Sequence, residues 1–105
     1  MKLYGLHNCD TCRKARKALP ESEFIDVREA GLPSTLADRA LEQFGEILVN
    51  RRSTTWRELS EEVRKQPPAA LLAAYPSLMK RPLILDDDDE LHLGWGSDVQ
   101  EKLLG

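Results

Sequence analysis

Two cysteines stand three apart in "YGLHNCDTCRKARKAL", residues 4–19, and the chain has no others. Their spacing suits three kinds of chemistry. As a redox pair, one sulfur attacks an oxidised substrate and the other swings back to resolve the mixed disulfide. As half of a metal site, the pair needs two more ligands to close a tetrahedral zinc shell. As plain structure, two small thiols fill space where a helix begins. The further imidazoles are His7 and His92, and no second paired motif exists, so the metal reading lacks a ligand set and no metal is expected.

The elements around the pair decide how it is presented. "KLYGL" (2–6) is a short apolar run that stops at polar His7 and Asn8, as a buried strand does. Beyond it Cys12, Ala15, Ala18 and Leu19 recur at helical spacing, with Arg13, Lys14, Arg16 and Lys17 on the opposite face. Asp10 or Thr11 is expected to cap this helix, and Pro20 follows its end. Cys9 then lies in the loop and Cys12 in the first helical turn. A helix start offers unpaired N–H groups and partial positive charge, which favour thiolate over thiol. Arg13 and Lys14 add fixed charge, so Cys9 is the expected low-pKa nucleophile and Cys12 the resolving thiol. His7 has two open readings, a proton acceptor for the pair or a solvated loop histidine.

Further along, "EFIDV" (23–27) reads as a second strand, parallel to the first because a helix intervenes. "GLPST" (31–35) turns into a helix carrying Leu36, Ala40, Leu41 and Phe44, broken at Gly45. A helix from Trp56 to about Lys65, with Leu59 and Val63 inward and Trp56 as a core anchor, is stopped by Pro67-Pro68. "AALLAAY" (69–75) is a further short helix. Pro82 immediately precedes an apolar strand, "DDDDE" and "LHLGW" read as a hairpin turn and its second strand, and "SDVQEKLL" as a last helix. The acidic run lacks the glycine and glutamate spacing of a calcium loop, which leaves a solvated turn. The order βαβ, helical insert at about 34–75, ββα is the thioredoxin plan: an α/β domain with a central mixed four-stranded sheet.

Composition narrows the function classes. The 105 residues make one domain, 41% apolar and 31% charged, with a net charge of −3. That balance gives no global case for nucleic acid or an anionic membrane surface. No stretch resembles a membrane span or a secretory signal, so a cytoplasmic setting is expected, where paired cysteines are redox or catalytic more often than structural. No exposed apolar stripe stands out, and a monomer is expected.

"YG..NCDTCRKARKAL", "NRRSTTWREL", "YPSLMKRPLI" and "LHLGWGSD" together resemble the arsenate reductase (ArsC) family across nearly the whole chain, in particular its YffB-like branch, which also includes the Spx regulators. The resemblance implies a thioredoxin-like fold with a helical insert and an enzyme of thiol-disulfide oxidoreductase type. It places the catalytic cysteine on Cys9. It also implies that Arg81, in an Arg-Pro motif, points at an anion near Cys9, with Pro82 cis, and that Arg52, ahead of "TTW", and Lys14 help bind substrate. No cofactor is implied as bound; glutathione is the implied co-substrate, with a glutaredoxin or thioredoxin as a further partner and a small oxyanion or a disulfide as substrate. Arginine forks suit such anions. The chain departs from the glutaredoxin-linked arsenate reductases in having no arginine in "ELHLGWGSD" and Asn50 where another arginine is expected, which predicts a weaker hold on arsenate. Its cysteine pair is the Spx pattern, so a redox-switched regulator binding RNA polymerase is the alternative.

Overall fold

A computed structural model describes residues 1–105. The chain divides into two compact units, one made of Met1–Val27 and Arg81–Gly105, the other of Arg28–Lys80. No helix is long and apolar enough to cross a membrane.

The first unit holds a four-stranded sheet in the order β2-β1-β3-β4. Its strands are β1 (Lys2–Gly5), β2 (Glu23–Asp26), β3 (Leu83–Leu85) and β4 (Leu91–Leu93). β1 runs parallel to β2, with Gly5 opposite Asp26, and antiparallel to β3, with Leu3 opposite Ile84. β3 and β4 form an antiparallel hairpin in which Ile84 faces His92. Helix α1 (Asp10–Ala18) is the crossover between the parallel pair, as parallel pairing requires. Its buried residues are Cys12 and Ala15, and its basic residues Arg16 and Lys17 sit in the last turn, where the helix dipole favours them. The last helix, α7 (Ser97–Leu104), buries Val99. Leu3 and Ile84 from adjacent strands, Ala15 and Leu19 from the α1 side and Val99 from α7 form one apolar cluster, with Phe24, Trp95 and Leu103 packed against it. This is the thioredoxin-like mixed sheet that the element order predicts.

The second unit lies in sequence between β2 and β3 and is helical. After the short α2 (Val27–Ala30), which joins the units and has no clear sequence signal, come α3 (Ser34–Phe44), α4 (Thr54–Glu58), α5 (Glu61–Arg64) and α6 (Pro68–Ala74). α3 ends at Gly45, whose φ of 69° favours a residue without Cβ. The single helix expected over 56–65 is two. Ser53 Oγ accepts the Trp56 N–H at 3.1 Å, and Ser60 Oγ accepts the Val63 N–H at 3.2 Å, so each serine starts its own helix. Trp56 is also no core anchor. It is half-buried, with the guanidinium groups of Arg51 and Arg64 each 5.4 Å from its ring centre. Two backbone bonds, Asn50 N–H to the Leu78 carbonyl and Lys80 N–H to the Leu48 carbonyl, both 2.7 Å, tie the ends of this unit's irregular stretches together.

The acidic hairpin turn is organised by Asp86. Its Oδ1 accepts the N–H groups of Asp88 and Glu90, both at 2.9 Å, and its Oδ2 lies 2.8 Å from Nε2 of buried His92. Asp89 occupies the left-handed region at φ 64°, which Asp tolerates better than most side chains. The His92 contact first, and the backbone N–H groups with it, hold the Asp86 carboxyl below its ordinary value. Because the folded-state value is the lower one, this stabilisation is complete above the unfolded value, about pH 4, and is lost as acid carries the medium down through the folded value. Asp86→Ala is therefore expected to cost about 0.5–1.5 kcal/mol at pH 7, through the lost turn bonds and the lost His92 contact. Urea unfolding should show that difference shrinking on acidification below about pH 4.

Candidate active site

Cys9 is the last residue before α1. Its φ of −99° and ψ of 120° are extended, so the chain enters the helix immediately after it. The Cys9 N–H donates to the Leu6 carbonyl at 3.3 Å, and the Cys9 carbonyl accepts the Arg13 N–H at 3.0 Å. Neither Asp10 nor Thr11 is the cap; the helix begins one residue earlier than that expectation, with Asp10 already in its first turn. A sulfur thus takes the place where helical N–H groups lack partners. No full side-chain capping bond is formed, but the Cys12 N–H in the first turn lies toward the sulfur and favours its charged form, adding to the helix dipole.

The two thiols are tuned apart. Partial burial is the largest influence on Cys9 and acts upward. The N–H and S–H of Cys12 and the guanidinium of Arg81 together outweigh it and hold Cys9 below the ordinary thiol value. Cys12 is fully buried. Burial first, and then the bond to Cys9 and the negative charge there, push the Cys12 thiol up to about 12, against opposing pulls from the Leu6 backbone and Arg81. Of the two thiols Cys9 is the one that ionises first, with the Cys12 S–H turned toward its charge. Space for the buried sulfur comes from Gly5 at the end of β1, since a Cβ there would collide with Cys12 Sγ.

The loop ahead of Cys9 is clamped through the backbone of His7. Its N–H donates to Asp26 Oδ2 at 3.0 Å, and its carbonyl accepts from Arg13 Nε at 3.3 Å. The His7 ring is itself more than half exposed, 3.8 Å from Asp26 Oδ2 and edge-on to Phe24 at 4.9 Å between centroids. Arg13 also pairs with Asp10 at 3.0 Å, which offsets the one acidic charge next to Cys9 in sequence. The positive charge that reaches Cys9 thus comes from Arg81, the residue the family resemblance puts beside it, whereas the helix pattern alone points to Arg13 and Lys14. Arg13 is engaged by Asp10 and His7, and Lys14 stands exposed, where water screens it.

Of the residues singled out from sequence, the structure brings together Cys9, Cys12 and Arg81. Pro82 is fully buried at the head of β3, and the Arg81–Pro82 peptide is cis. Arg52 belongs to the second unit, exposed on the turn after Asn50, with its N–H bonded to Asn50 Oδ1 at 3.0 Å. Gly5, Leu6 and Asp26 escaped the sequence reading. Their signals are a glycine closing an apolar strand and an acid closing "EFID", both weak without the register that sets them side by side. A cavity of about 400 Å³ elsewhere in this unit, bounded by Met1, Leu19, Pro20 and Asp87 among others, has neither cysteine on its wall. Ligand atoms of Asp86, Glu90 and His92 lie within 4.8 Å of one another. Both Asp86 oxygens, however, are already engaged in the hairpin bonds described above.

A cysteine pair at the head of the first helix of a thioredoxin-like sheet defines a thiol-based redox protein. More narrowly, the chain belongs to the ArsC family, which it matches over residues 4–103. It is 44% identical over 98 residues to an uncharacterised protein of Haemophilus influenzae, covering 85% of this chain and 86% of that one. It is 28% identical to the global transcriptional regulator Spx of Bacillus subtilis, over 97% of this chain and 85% of that protein. Among solved structures it resembles a YFFB protein, with a TM-score of 0.85, 30% identity, and coverage of 99% and 98% of the two chains. It also resembles an ArsC-related protein from Brucella melitensis, with a TM-score of 0.68, 35% identity, and coverage of 98% and 92%.

Removing the Arg81 charge is expected to raise the Cys9 pKa toward that of free cysteine. Iodoacetamide labelling of Arg81→Ala at pH 7 should slow by about threefold or more, and Arg81→Lys should recover much of the rate. An unchanged pH profile in Arg81→Ala would remove Arg81 from the site.

Proposed function

We propose that the protein is a thiol-disulfide oxidoreductase in which Cys9 is the nucleophile and Cys12 or glutathione resolves the intermediate. The reading rests on the placement of the pair, Cys9 at the N-cap of α1 and Cys12 fully buried in its first turn, which displaces the two thiol pKa values in opposite directions. Cys9 is lowered while Cys12 is pushed up to about 12. Such a pair has one member ready to attack and one held back with its proton.

The Cys9 thiolate attacks one sulfur of the substrate disulfide. A Cys9–substrate S–S bond forms, the substrate S–S bond breaks, and the departing thiolate takes the bonding electron pair. Cys9 is then neutral. Two of the influences holding the proton on Cys12, the bond to Cys9 and the Cys9 charge, weaken with that step, while the pull of Arg81 remains. Cys12 therefore becomes easier to deprotonate when it is needed. Its sulfur attacks Cys9 Sγ, forming the Cys9–Cys12 disulfide and breaking the Cys9–substrate bond; the second substrate sulfur takes the bonding pair and the proton given up by Cys12 and leaves as a thiol. Two glutathione thiols reduce that disulfide and leave as oxidised glutathione; alternatively, one glutathione attacks the first mixed disulfide directly. Arg81 holds the carboxylates or other anionic groups of the substrate, Pro82 fixes the approach to Arg81, and Lys14 supplies peripheral charge, while Arg52, in the second unit, is read by itself as an anion holder. Arsenate fits less well, because residues 90–98 contain no arginine to complete a grip on a multiply charged oxyanion.

Glutathione-coupled reduction of a small disulfide tests this. Cys9→Ser should abolish turnover. Cys12→Ser should retain a slower, glutathione-resolved activity and accumulate the mixed disulfide by mass spectrometry. Turnover by Cys9→Ser equal to wild type would sink the assignment.

The near-full-length similarity to Spx supports a second reading, a redox-switched partner of RNA polymerase. A polymerase pull-down decides it. Retention that differs between the oxidised and reduced chain would favour the regulator, and no retention in either state would remove it.

A further inference from the structure

The second unit carries a groove of about 630 Å³ whose walls include Ile47, Asn50, Arg51, Arg52 and Lys80. We infer that this groove binds an acidic peptide segment of a partner protein, one bearing an apolar side chain among its carboxylates.

The groove is positive in a chain of net charge −3. Its charged lining residues are Arg51, Arg52, Lys80 and Glu46. The Arg51 guanidinium is restrained, 4.0 Å from Glu46 Oε1 and 5.4 Å from the Trp56 ring centre. Arg52 and Lys80 are exposed and neither pairs with an acidic side chain. Two cations therefore face the groove with their charge uncompensated.

The backbone under them is set in advance. Asn50 Oδ1 accepts the Arg52 N–H at 3.0 Å, and the Asn50 carbonyl accepts the Ser53 hydroxyl at 2.8 Å. Val49 and Met79 form an antiparallel bridge that carries Arg52 and Lys80 into the same groove from distant parts of the chain. A ligand would lose little freedom from the protein side on binding.

Ile47 decides the class of ligand. It is 61% exposed, one of two large apolar side chains left so open. Exposed guanidinium and ammonium groups hold a lone small anion weakly, because water and salt screen each contact. Several carboxylates along one chain, with an apolar side chain laid on Ile47, add contacts that a small oxyanion cannot make. The groove is also far larger than such an ion needs.

The inference rests on the reading of Arg52 as an anion holder, and not on the cysteine chemistry. Its test therefore uses the full-length Cys9→Ser chain, so that a failed titration and a failed turnover assay remain separate results. The probes are a blocked Glu-Glu-Leu-Glu-Glu peptide, its Lys-Lys-Leu-Lys-Lys counterpart and inorganic phosphate, followed by backbone amide NMR. The acidic peptide should saturate, shift the amides of residues 47–52 and Lys80, and weaken between about 0.05 and 0.5 M salt. Combined Arg52→Ala and Lys80→Ala should weaken it about fivefold or more, and Ile47→Ser should weaken it without changing the salt dependence. Equal binding of the basic peptide, unchanged affinity in the double variant, or phosphate matching the peptide at the same amides would each overturn it.

Discussion

The placement of one thiol at a helix start and of its partner, fully buried, one turn on sets the character of this protein. Cys12 is buried where ionising it is costly, and Cys9 is placed where ionising it is favourable. The S–H of one stabilises the negative charge of the other, so neither thiol has an independent acidity. The arrangement depends on geometry. The sheet must end on a residue with no side chain, or the buried sulfur has nowhere to sit, and Gly5 meets that requirement. The helix must also begin at Cys9 itself, so that the amide and thiol of Cys12 reach back to it. A helix starting one or two residues later would put the pair out of step.

The rest of the first unit holds that geometry in place. β1 ends beside Asp26 of β2, and the Asp26 carboxylate takes the His7 N–H of the loop that follows β1. Arg13 closes the same loop from the helix side. β3 starts from a cis Arg81–Pro82 peptide and delivers the guanidinium whose charge is felt at Cys9. Leu3, Ile84 and Val99 clamp the sheet to its helices from below. Even the acidic hairpin, which has no part in the chemistry, is ordered by one carboxylate so that β3 and β4 stay paired.

The second unit solves a different problem. It is made of short helices, which after α2 are started by a serine or a proline, and a two-bond ladder between residues 48–50 and 78–80 ties its middle to its last residues. What it exposes is charge in one groove, in a chain that is acidic as a whole. Cation–aromatic stacking on Trp56 takes up Arg51 and Arg64 and leaves Arg52 and Lys80 available.

The strands, the crossover helix and their order were legible because alternation and helical spacing act locally, residue by residue. The cysteine pair was legible for the same reason, since three residues of separation is a fact about the chain. Local reading went wrong where two local signals competed. Leu59 and Val63 continue a helical stripe, and that hid Ser60, whose side chain ends one helix and starts another. Asp10 and Thr11 are better capping residues than cysteine, yet the register of β1 and the clamp on His7 bring the helix in at Cys9. The sequence by itself determined which groups could do chemistry and in which elements they ride. Spacing along the chain favours Arg13 and Lys14. Only the tertiary structure decided that they are spent elsewhere while Arg81, which resemblance alone had pointed to, supplies the charge at the sulfur, because Coulomb forces act through space and Arg81 is more than seventy residues away along the chain.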